Sequence, residues 1–276
     1  MRLCGLGDNI VDIYPDQGVV YPGGSACNVA VHAARLGADS AYVGILGRDP
    51  AGRLIHDALQ KEGVNLSRLR WTDAPNSTVL VHVDESGNRV FTDYQPPTAA
   101  PILSEEDLNF LSGMQVVHTG HVSLIENQLA HIADVVPVSF DFSYRDWEYA
   151  QPLLPYVTYA TFSRPLDSDD DCRALLRTAR EAGARIAVVT RGDRGSMALI
   201  NGYEIHEQPA MPTQVIDTLG AGDAFTAQLL VALCDGLDGS EAFARAADYA
   251  TRACSSLGAY GHEAPISSLG VEERTR

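Results

Sequence analysis

A seven-residue run in the C-terminal third of the chain combines acids and glycines at the expected start of a helix. The run reads D-T-L-G-A-G-D at residues 217–223 and directly precedes an apolar helical segment at residues 224–234. Glycines at a helix N-terminus let several backbone N–H groups point at one place, where the helix dipole adds positive potential, so the pattern predicts an anion site. Taken alone, Asp223 fits a carboxylate that stabilises a helix start as well as it fits a catalytic group. An acid beside a phosphate repels it unless the acid takes a proton from the attacking group, so the combination favours phosphoryl transfer.

Two other glycine-containing segments have residue types that suit ligand binding. Residues 23–28, G-G-S-A-C-N, open a predicted helix with backbone that a ligand can approach, and the side-chain amide of Asn28 follows one turn in. Residues 190–195, T-R-G-D-R-G, follow a predicted strand, and ligands of open α/β sheets gather at the carboxyl ends of strands. Taken singly, the first segment also fits a plain loop turn, and the second fits a tight turn into a strand at 196–200.

Several well-known cofactor and catalytic motifs are missing from the sequence. Residues 5–10, G-L-G-D-N-I, follow a predicted strand as dinucleotide-binding glycines do, but Ile10 stands in place of the third glycine and no helical pattern follows. There is no G-x-x-x-x-G-K-[ST], H-E-x-x-H or G-x-S-x-G motif. We therefore expect neither a Rossmann cofactor site nor a P-loop, zincin or serine-hydrolase site.

Short apolar runs alternate with helical patterns along the chain and position these segments at the ends of strands. Strands are predicted at residues 3–7, 41–46, 116–119, 138–142, 159–162 and 186–190. Helices are predicted at residues 26–36, 52–62, 105–111, 128–133, 170–182, 224–234 and 241–256, and Ser104 with Asp107 predicts a capping box at the third of them. The alternation predicts a single α/β domain over residues 1–276, with a doubly wound, mostly parallel sheet and helices on both faces.

Two stretches break this alternation. Residues 10–21 are extended and have no helical period, and residues 79–83 and 90–94 flank a turn sequence at 84–88 that predicts a hairpin. We expect the two segments, near 10–21 and 76–98, to pair into a small β-sheet. A β-flap of this kind is typically a lid over a binding site.

The charge balance and the cysteine usage exclude several classes of function. The 276 residues include 20 Lys and Arg against 36 Asp and Glu, a formal net charge of −16. No nucleic-acid or anionic-membrane partner is expected, because both require a basic surface, and no apolar run approaches the ~20 residues of a membrane span. Five scattered cysteines without C-x-x-C spacing predict buried free thiols. Together with an N-terminus that lacks a signal-peptide pattern, they predict a cytoplasmic protein.

Taken in order along the chain, these motifs resemble those of the ribokinase-like (PfkB-type) carbohydrate kinases. The resemblance rests on G-D-N-I-V-D from residue 7, P-G-G-S-A-C-N from 22, T-R-G-D-R-G from 190 and D-T-L-G-A-G-D from 217. Within the family the sequence is most similar to fructoselysine 6-kinases, at residues 7–15, 90–94 and 141–143. The resemblance implies a ribokinase-like fold with a β-sheet lid. It also implies a kinase that uses ATP and Mg²⁺ to phosphorylate a primary hydroxyl of a fructosamine.

The resemblance assigns roles to individual residues as well. The catalytic group comprises the base Asp223 and an anion hole for the transferring phosphoryl group, formed by the amides of Gly220, Ala221, Gly222 and Asp223. The residues expected at the sugar and γ-phosphate are Asp8, Asn9, Asp12, Gly23, Gly24, Asn28 and the cation Arg145. The residues expected along the nucleotide are Thr190, Gly192, Gly195 and Thr218. A potassium ion near Asp217 and Leu219 is a further implication.

One position departs from the family pattern. The N-x-x-E motif, which helps to organise magnesium and phosphate, reads S-R-P-L at residues 163–166. The nearby acids could substitute for the missing carboxylate, but the pattern favours a solvated helix start at Asp167, Asp169, Asp170 and Asp171.

Two alternatives stay open on the sequence. The acceptor can be a different one, namely fructose, ribose or a nucleoside, or the chain can be a catalytically silent sensor of sugar or nucleotide. The altered N-x-x-E position favours the sensor, whereas the intact D-T-L-G-A-G-D run favours the enzyme, because a sensor needs no base beside a phosphate. The resemblance also implies a homodimer in which the lids pair, since exposed strand edges are usually covered.

Overall fold

Strands and helices alternate along most of the chain. The computed structural model describes residues 1–83, 89–97, 100–200, 202, 204–211 and 215–270. Within them the strands are β1 (Arg2–Gly7), β2 (Ile10–Tyr14), β3 (Val19–Gly23), β4 (Asp39–Gly47), β5 (Arg70–Thr72), β6 (Thr78–Val83), β7 (Arg89–Gln95), β8 (Val116–Gly120), β9 (Val138–Ser143), β10 (Tyr159–Ser163), β11 (Ile186–Thr190), β12 (Ser196–Leu199), β13 (Ile205–Gln208) and β14 (Ala264–Pro265). The helices are α1 (Ser25–Arg35), α2 (Pro50–Lys61), α3 (Glu105–Ser112), α4 (Leu129–Ala133), α5 (Trp147–Ala150), α6 (Asp169–Glu181), α7 (Ala221–Cys234) and α8 (Gly239–Ala253).

The larger of two sheets contains nine of these strands, in the order β13-β12-β11-β10-β9-β8-β1-β4-β5. Neighbouring strands from β11 through to β5 are parallel, and β12 and β13 continue the sheet antiparallel at one edge. Each strand predicted in the alternating part of the sequence belongs to this sheet. The predicted α/β fold with a doubly wound, mostly parallel sheet is confirmed.

Helices cover both faces of this sheet because successive side chains of each strand point to opposite sides. Leu3 of β1 packs in one cluster with Val29 of α1 and Leu230 of α7. The next residue, Cys4, packs on the other face in a cluster that includes Leu111 of α3. Helix α7 is apolar around its circumference because it packs against both α1 and α8.

Strand β1 lies between β4 and β8, so the chain leaves it in one direction and later resumes on its other side. The connections that follow the carboxyl ends of these strands diverge at such a point and leave a crevice, which is where open α/β sheets bind ligands. The segments after β1 and β8 therefore lie where a substrate site is expected.

The smaller sheet has the order β14-β3-β2-β6-β7. Its centre is the parallel pairing of β2 with β6, which joins the two stretches that break the alternation, as predicted. The turn at 84–88 lies outside the described residues. Strand β7 is at the edge of this sheet and leaves Val90, Phe91 and Tyr94 exposed.

Helix α7 begins at Ala221, three residues before the start predicted from hydrophobicity. Gly220 precedes it with φ 72°, a left-handed conformation that glycine adopts without strain, and is the N-cap. The residues Gly222 and Asp223 consequently belong to the first helical turn. At α3 the predicted capping box of Ser104 and Asp107 is confirmed.

Strands β5, β13 and β14 and the short helix α5 were not predicted. These elements are two to four residues long, too short to show a hydrophobic period. Among the described residues, we find no helix with the length and apolarity that crossing a bilayer requires. None of the five cysteines, all of which are among the described residues, forms a disulfide.

Candidate active site

Asp223 is held by two side chains from helix α1. The Ser25 hydroxyl donates to Asp223 Oδ1 at 2.6 Å, and the Asn28 amide donates to Oδ2 at 2.7 Å. Ser25 and Asn28 are three positions apart, so they lie on the same face of α1. The packing of α1 against α7 thus joins the G-G-S-A-C-N and D-T-L-G-A-G-D segments at one carboxylate.

The turn before α7 is anchored by Asp217. Its buried carboxylate accepts hydrogen bonds from the N–H of Leu219 at 2.6 Å, the N–H of Gly258 at 3.0 Å and the hydroxyl of Tyr14 at 3.3 Å. Tyr14 belongs to β2 of the smaller sheet. Asp217 therefore links the position of that sheet to the start of α7.

The amides of the first turn of α7 include donors that a helix cannot satisfy internally. The Ala221 amide already donates to the carbonyl of Thr218 at 3.2 Å, so of the predicted anion-hole amides this one has a backbone acceptor. Gly222 and Asp223 are the next two residues of the turn. Their N–H groups are oriented by the helix and carry its positive end.

A cleft of about 560 Å³ opens beside this turn. Its lining includes each residue predicted to bind the nucleotide, namely Thr190, Gly192, Gly195 and Thr218, together with the whole of 220–223. Apolar side chains from α7, α8 and the segment after β13 line it as well: Phe225, Ala247, Ala250, Met211 and Val215. The cleft thus combines helix amides with apolar side chains, as a nucleotide site requires.

Of the residues predicted for the sugar, Asn28 hydrogen-bonds Asp223 and Asp8 acts on its pKa, and none of them lines this cleft. Asp8 Oδ1 accepts from the Ser123 hydroxyl at 2.8 Å and from the Ala26 N–H at 3.2 Å. A Cβ atom on Gly23 would lie 2.5 Å from Asp12 Oδ2, so only glycine lets this backbone approach the carboxylate. Asp223 therefore lines the cleft and also interacts with two of the residues predicted for the sugar.

Two of the predicted sugar-site residues have other contacts. The Asn9 amide donates to the Tyr42 hydroxyl at 2.8 Å and to the Ile45 carbonyl at 2.9 Å, which connects the segment after β1 to β4. The Arg145 guanidinium lies over the Tyr149 ring at 4.9 Å, is exposed and does not line the cleft. In this structure Arg145 therefore contributes nothing to the lining of the cleft.

Burial sets the protonation of three acids around this point. It raises the pKa of Asp223 to about 6, while the hydrogen bonds from Asn28 and Ser25 oppose that rise. Burial and the charge of Asp223 raise the pKa of Asp141 to about 7. The pKa of Asp8 is raised by burial as well, against the donors Ser123 and Ala26. Asp223 is consequently ionised at neutral pH and basic enough to accept a proton from a hydroxyl.

Arg164 holds residues 163–166, the segment at the N-x-x-E position, through hydrogen bonds to backbone carbonyls. The Arg164 guanidinium donates to the carbonyls of Ser143 and Ser163, at 2.7 and 2.8 Å. Leu166, at the position of the family glutamate, is 95% exposed and brings no carboxylate to the cleft. The acids that follow begin α6, where Ser168 is the N-cap, as the interpretation of a solvated helix start predicted.

The described residues contain no group of three or more His, Cys, Asp or Glu side chains that could hold a metal ion. A magnesium ion that arrives with a nucleotide fits this site only if phosphate oxygens and water supply most of its ligands, which is the usual coordination of Mg²⁺.

Three polar residues near Asp223 were missed in the sequence. Ser123 follows β8, His118 lies on β8 and Ser139 lies on β9. The Ser25 hydroxyl contacts His118 Nε2 at 3.1 Å. His118 and Ser123 lie more than 90 positions from Ser25 and Asp8, which they contact, so no local spacing could have identified them. Ser139 contacts His118 from the neighbouring strand.

Comparison with known proteins agrees with this geometry. The pattern of the pfkB family carbohydrate kinases matches residues 8–265. The chain is 40% identical over 283 aligned residues to the fructosamine kinase FrlD of Bacillus subtilis (strain 168), covering 100% of this chain and 99% of that protein. It is 33% identical to the fructoselysine 6-kinase of Escherichia coli (strain K12), covering 94% and 99% of the two chains.

Among solved structures, the Arabidopsis thaliana ribokinase complexed with ribose and ATP superimposes with a TM-score of 0.80. The alignment covers 97% of this chain and 96% of that one, at 23% identity. At this identity the likeness concerns the fold.

Proposed function

The chain belongs to the pfkB family of carbohydrate kinases, and we propose that it transfers the γ-phosphoryl group of ATP to the terminal primary hydroxyl of a fructosamine of the fructoselysine type. The observation that carries the proposal is the position of Asp223. Its carboxylate lies at the start of α7, where it lines a cleft of nucleotide size and also interacts with Asn28 and Asp8.

In the proposed reaction Asp223 accepts the proton of the attacking hydroxyl. The amides of Gly222 and Asp223 stabilise the charge on the transferring phosphoryl group, which is the main contribution a protein can make to this reaction. Mg²⁺, when bound with the nucleotide, neutralises charge on the β- and γ-phosphates. Arg145 is proposed to contribute near the γ-phosphate only after its side chain leaves the Tyr149 ring.

Aromatic and acidic side chains near Asp8 support a cationic acceptor. Tyr94 of β7 is 47% exposed, and Tyr144 after β9 is 73% exposed. Burial raises the pKa of Tyr94, and the charges of Asp8 and Tyr144 raise it further. Tyr144 also packs edge-on against His121, with ring centroids 5.3 Å apart. A fructosamine carries a protonated secondary amine beside a polyol, and both carboxylates and aromatic faces attract such a cation. The names of the two aligned kinases from Bacillus subtilis and Escherichia coli support the same acceptor class.

The acceptor is tested by measuring ADP release with fructoselysine, fructose, ribose and adenosine. We expect kcat/KM for fructoselysine to exceed that for fructose by about 10–10³-fold. A charge pair with the amine contributes up to ~1 kcal/mol, and an unmatched polar group in the site costs ~1–3 kcal/mol. Asp8→Asn should lower the ratio of the two kcat/KM values by a larger factor than it lowers kcat/KM for fructose itself. Asp16→Asn is the matched control, since it removes the same charge from an exposed carboxylate that contacts His82.

Two results distinguish an error in the proposed acceptor from an error in the proposed kinase activity. Equal or faster turnover of fructose, ribose or adenosine contradicts the fructosamine acceptor but not the kinase activity. Nucleotide binding without any turnover across the panel favours the sensor, although the presence of Asp223 beside the helix amides argues against a purely binding role.

The smaller sheet is proposed to close over the acceptor as a lid. Closure excludes water, which protects the phosphoryl group from hydrolysis, and Tyr14 of β2 already contacts Asp217 of the turn before α7. We expect hydrogen exchange of β2, β3, β6 and β7 to slow when fructoselysine and a non-hydrolysable ATP analogue bind. Unchanged exchange there, with protection elsewhere in the cleft, contradicts a lid.

Three further properties are part of the proposal. A homodimer through the exposed edge of β7, at Val90 and Phe91, would cover apolar surface. A potassium ion near Asp217 and Leu219 and a cytoplasmic location remain predictions from the sequence.

A further inference from the structure

A chain of hydrogen bonds runs from Asp223 into the core of the protein. The Ser25 hydroxyl, which donates to Asp223 Oδ1 at 2.6 Å, lies 3.1 Å from His118 Nε2. The other ring nitrogen of His118, Nδ1, lies 3.0 Å from the Ser139 hydroxyl. His118 and Ser139 are both 0% exposed, on the adjacent strands β8 and β9.

The single hydrogen of the Ser25 hydroxyl decides the direction of each bond. It points at the Asp223 carboxylate, which can only accept, so Ser25 must accept from His118 Nε2. His118 then carries its proton on Nε2, and its Nδ1 accepts the hydrogen of the Ser139 hydroxyl. One tautomer of one buried imidazole thus fits all three bonds.

We propose that His118 is a positioning residue that acts through Ser25 to keep the carboxylate of Asp223 oriented and free of a proton near neutral pH. The inference rests on the proposed role of Asp223 as the base. The imidazole touches neither cleft nor acceptor residues directly, and its effect reaches the reaction through the Ser25 hydroxyl alone.

The surroundings of Asp223 make this donor important. The titratable groups that face it are Asp8 after β1, Cys27 on α1 and Asp141 on β9, and none of them supplies positive charge. Ser25 and Asn28 are the donors that lower its pKa against burial. Burial also lowers the pKa of His118 to about 3, so the imidazole stays neutral and its Nε2–H stays available throughout the working pH range.

The first test is the dependence of kcat/KM on pH for Ser25→Ala, His118→Leu and His118→Gln. Loss of the Ser25 donor should move the acid limb upward by about 1 pH unit, because a hydrogen bond to a carboxylate favours its ionised form. Relative to wild type, kcat/KM should fall about fivefold at pH 6 and less than about twofold at pH 8. His118→Leu should shift the limb in the same direction by less. His118→Gln should restore it, because the glutamine amide can supply a donor to Ser25.

The second test reads the imidazole directly in the full-length protein. With ¹⁵N-labelled histidine, the resonance lost in His118→Gln should belong to a neutral, Nε2-protonated ring that does not titrate between pH 5.5 and 8. An Nδ1-protonated ring or a charged one overturns the proposal whatever the activity.

The outcomes also separate this inference from the proposed function. If Asp223→Asn remains active, the base role itself is wrong. If Asp223→Asn is inactive but the three variants keep the wild-type pH limb, the base role stands and the positioning role is wrong. Loss of melting temperature in His118→Leu without a shifted limb assigns the histidine to packing only and also overturns the proposal.

Discussion

Asp223→Asn is expected to lower kcat by ~10²–10⁴-fold while nucleotide affinity changes little, because loss of a base affects the transition state more than binding. Asparagine is close to aspartate in size and can keep one hydrogen bond to Ser25 or Asn28, so the helix start should stay in place. Turnover is measured by ADP release with saturating fructoselysine, and affinity by titration calorimetry with a non-hydrolysable ATP analogue.

Asp235→Asn is the matched control for this variant. Asp235 is the C-cap of the same helix, is about half exposed and lies 3.7 Å from the N-terminal amine. It therefore loses the same charge from α7 without touching the site, and we expect its kcat to equal that of wild type. Turnover of Asp223→Asn within a few-fold of wild type would falsify the assignment of the base.

The wild-type protein should also lose activity as the pH falls through about 6. Burial raises the pKa of Asp223 to about 6, and the carboxylate is able to accept a proton only above that value. Activity should therefore be lost on the acidic side of the pH profile. The shift of this acid limb in Ser25→Ala is the measurement that tests the role of His118.

Gly220→Ala is expected to lower kcat by ~10²–10³-fold, the usual effect of losing an oriented donor at a developing negative charge. The residue has φ 72°, and an added Cβ would lie 2.6 Å from Ala259 Cβ and 2.8 Å from Ala259 Cα. The turn must therefore move relative to the 258–260 segment, and the amides of Gly222 and Asp223 move with it. Steady-state kinetics and a melting curve for each variant measure the two consequences separately.

Gly63→Ala supplies the control for backbone strain. Gly63 has φ 75° and open space where the Cβ would lie. It should lose about 1 kcal/mol of folding free energy from the left-handed conformation and no activity. If Gly220→Ala melts lower than wild type but turns over at the wild-type rate, the start of α7 does not position the phosphoryl group.

Local patterns in the sequence were sufficient for the α/β class, the extra sheet and the position of the glycine turn before α7. The spacing of apolar residues indicates whether a helix or a strand forms. Glycines before a helix indicate where backbone N–H groups are available to a ligand. Boundaries were less predictable: hydrophobicity placed the start of α7 at 224, whereas the left-handed Gly220 moves it to Ala221. Short edge strands such as β13 and β14 carry too few residues for any period to show.

The side chains around Asp223 could be foreseen only in part. Asn28 was expected at the sugar, whereas Ser25 lay inside a recognised motif without an assigned role, and His118 had no motif at all. The role of Arg145 at the γ-phosphate stays a prediction, and its guanidinium lies over the ring of Tyr149, one turn further on.

Residue types and local spacing decide which chemistry this chain can perform, because an acid, helix-start glycines and polar strand ends keep their chemical character wherever they lie. The protonation and orientation of those groups depend on tertiary structure. Helix α1 must pack against α7 before Ser25 reaches Asp223, and β8 must pair with β9 before Ser139 reaches His118. The raised pKa of Asp223 and the neutral imidazole of His118 both come from burial, which arises only when segments distant in sequence exclude water together.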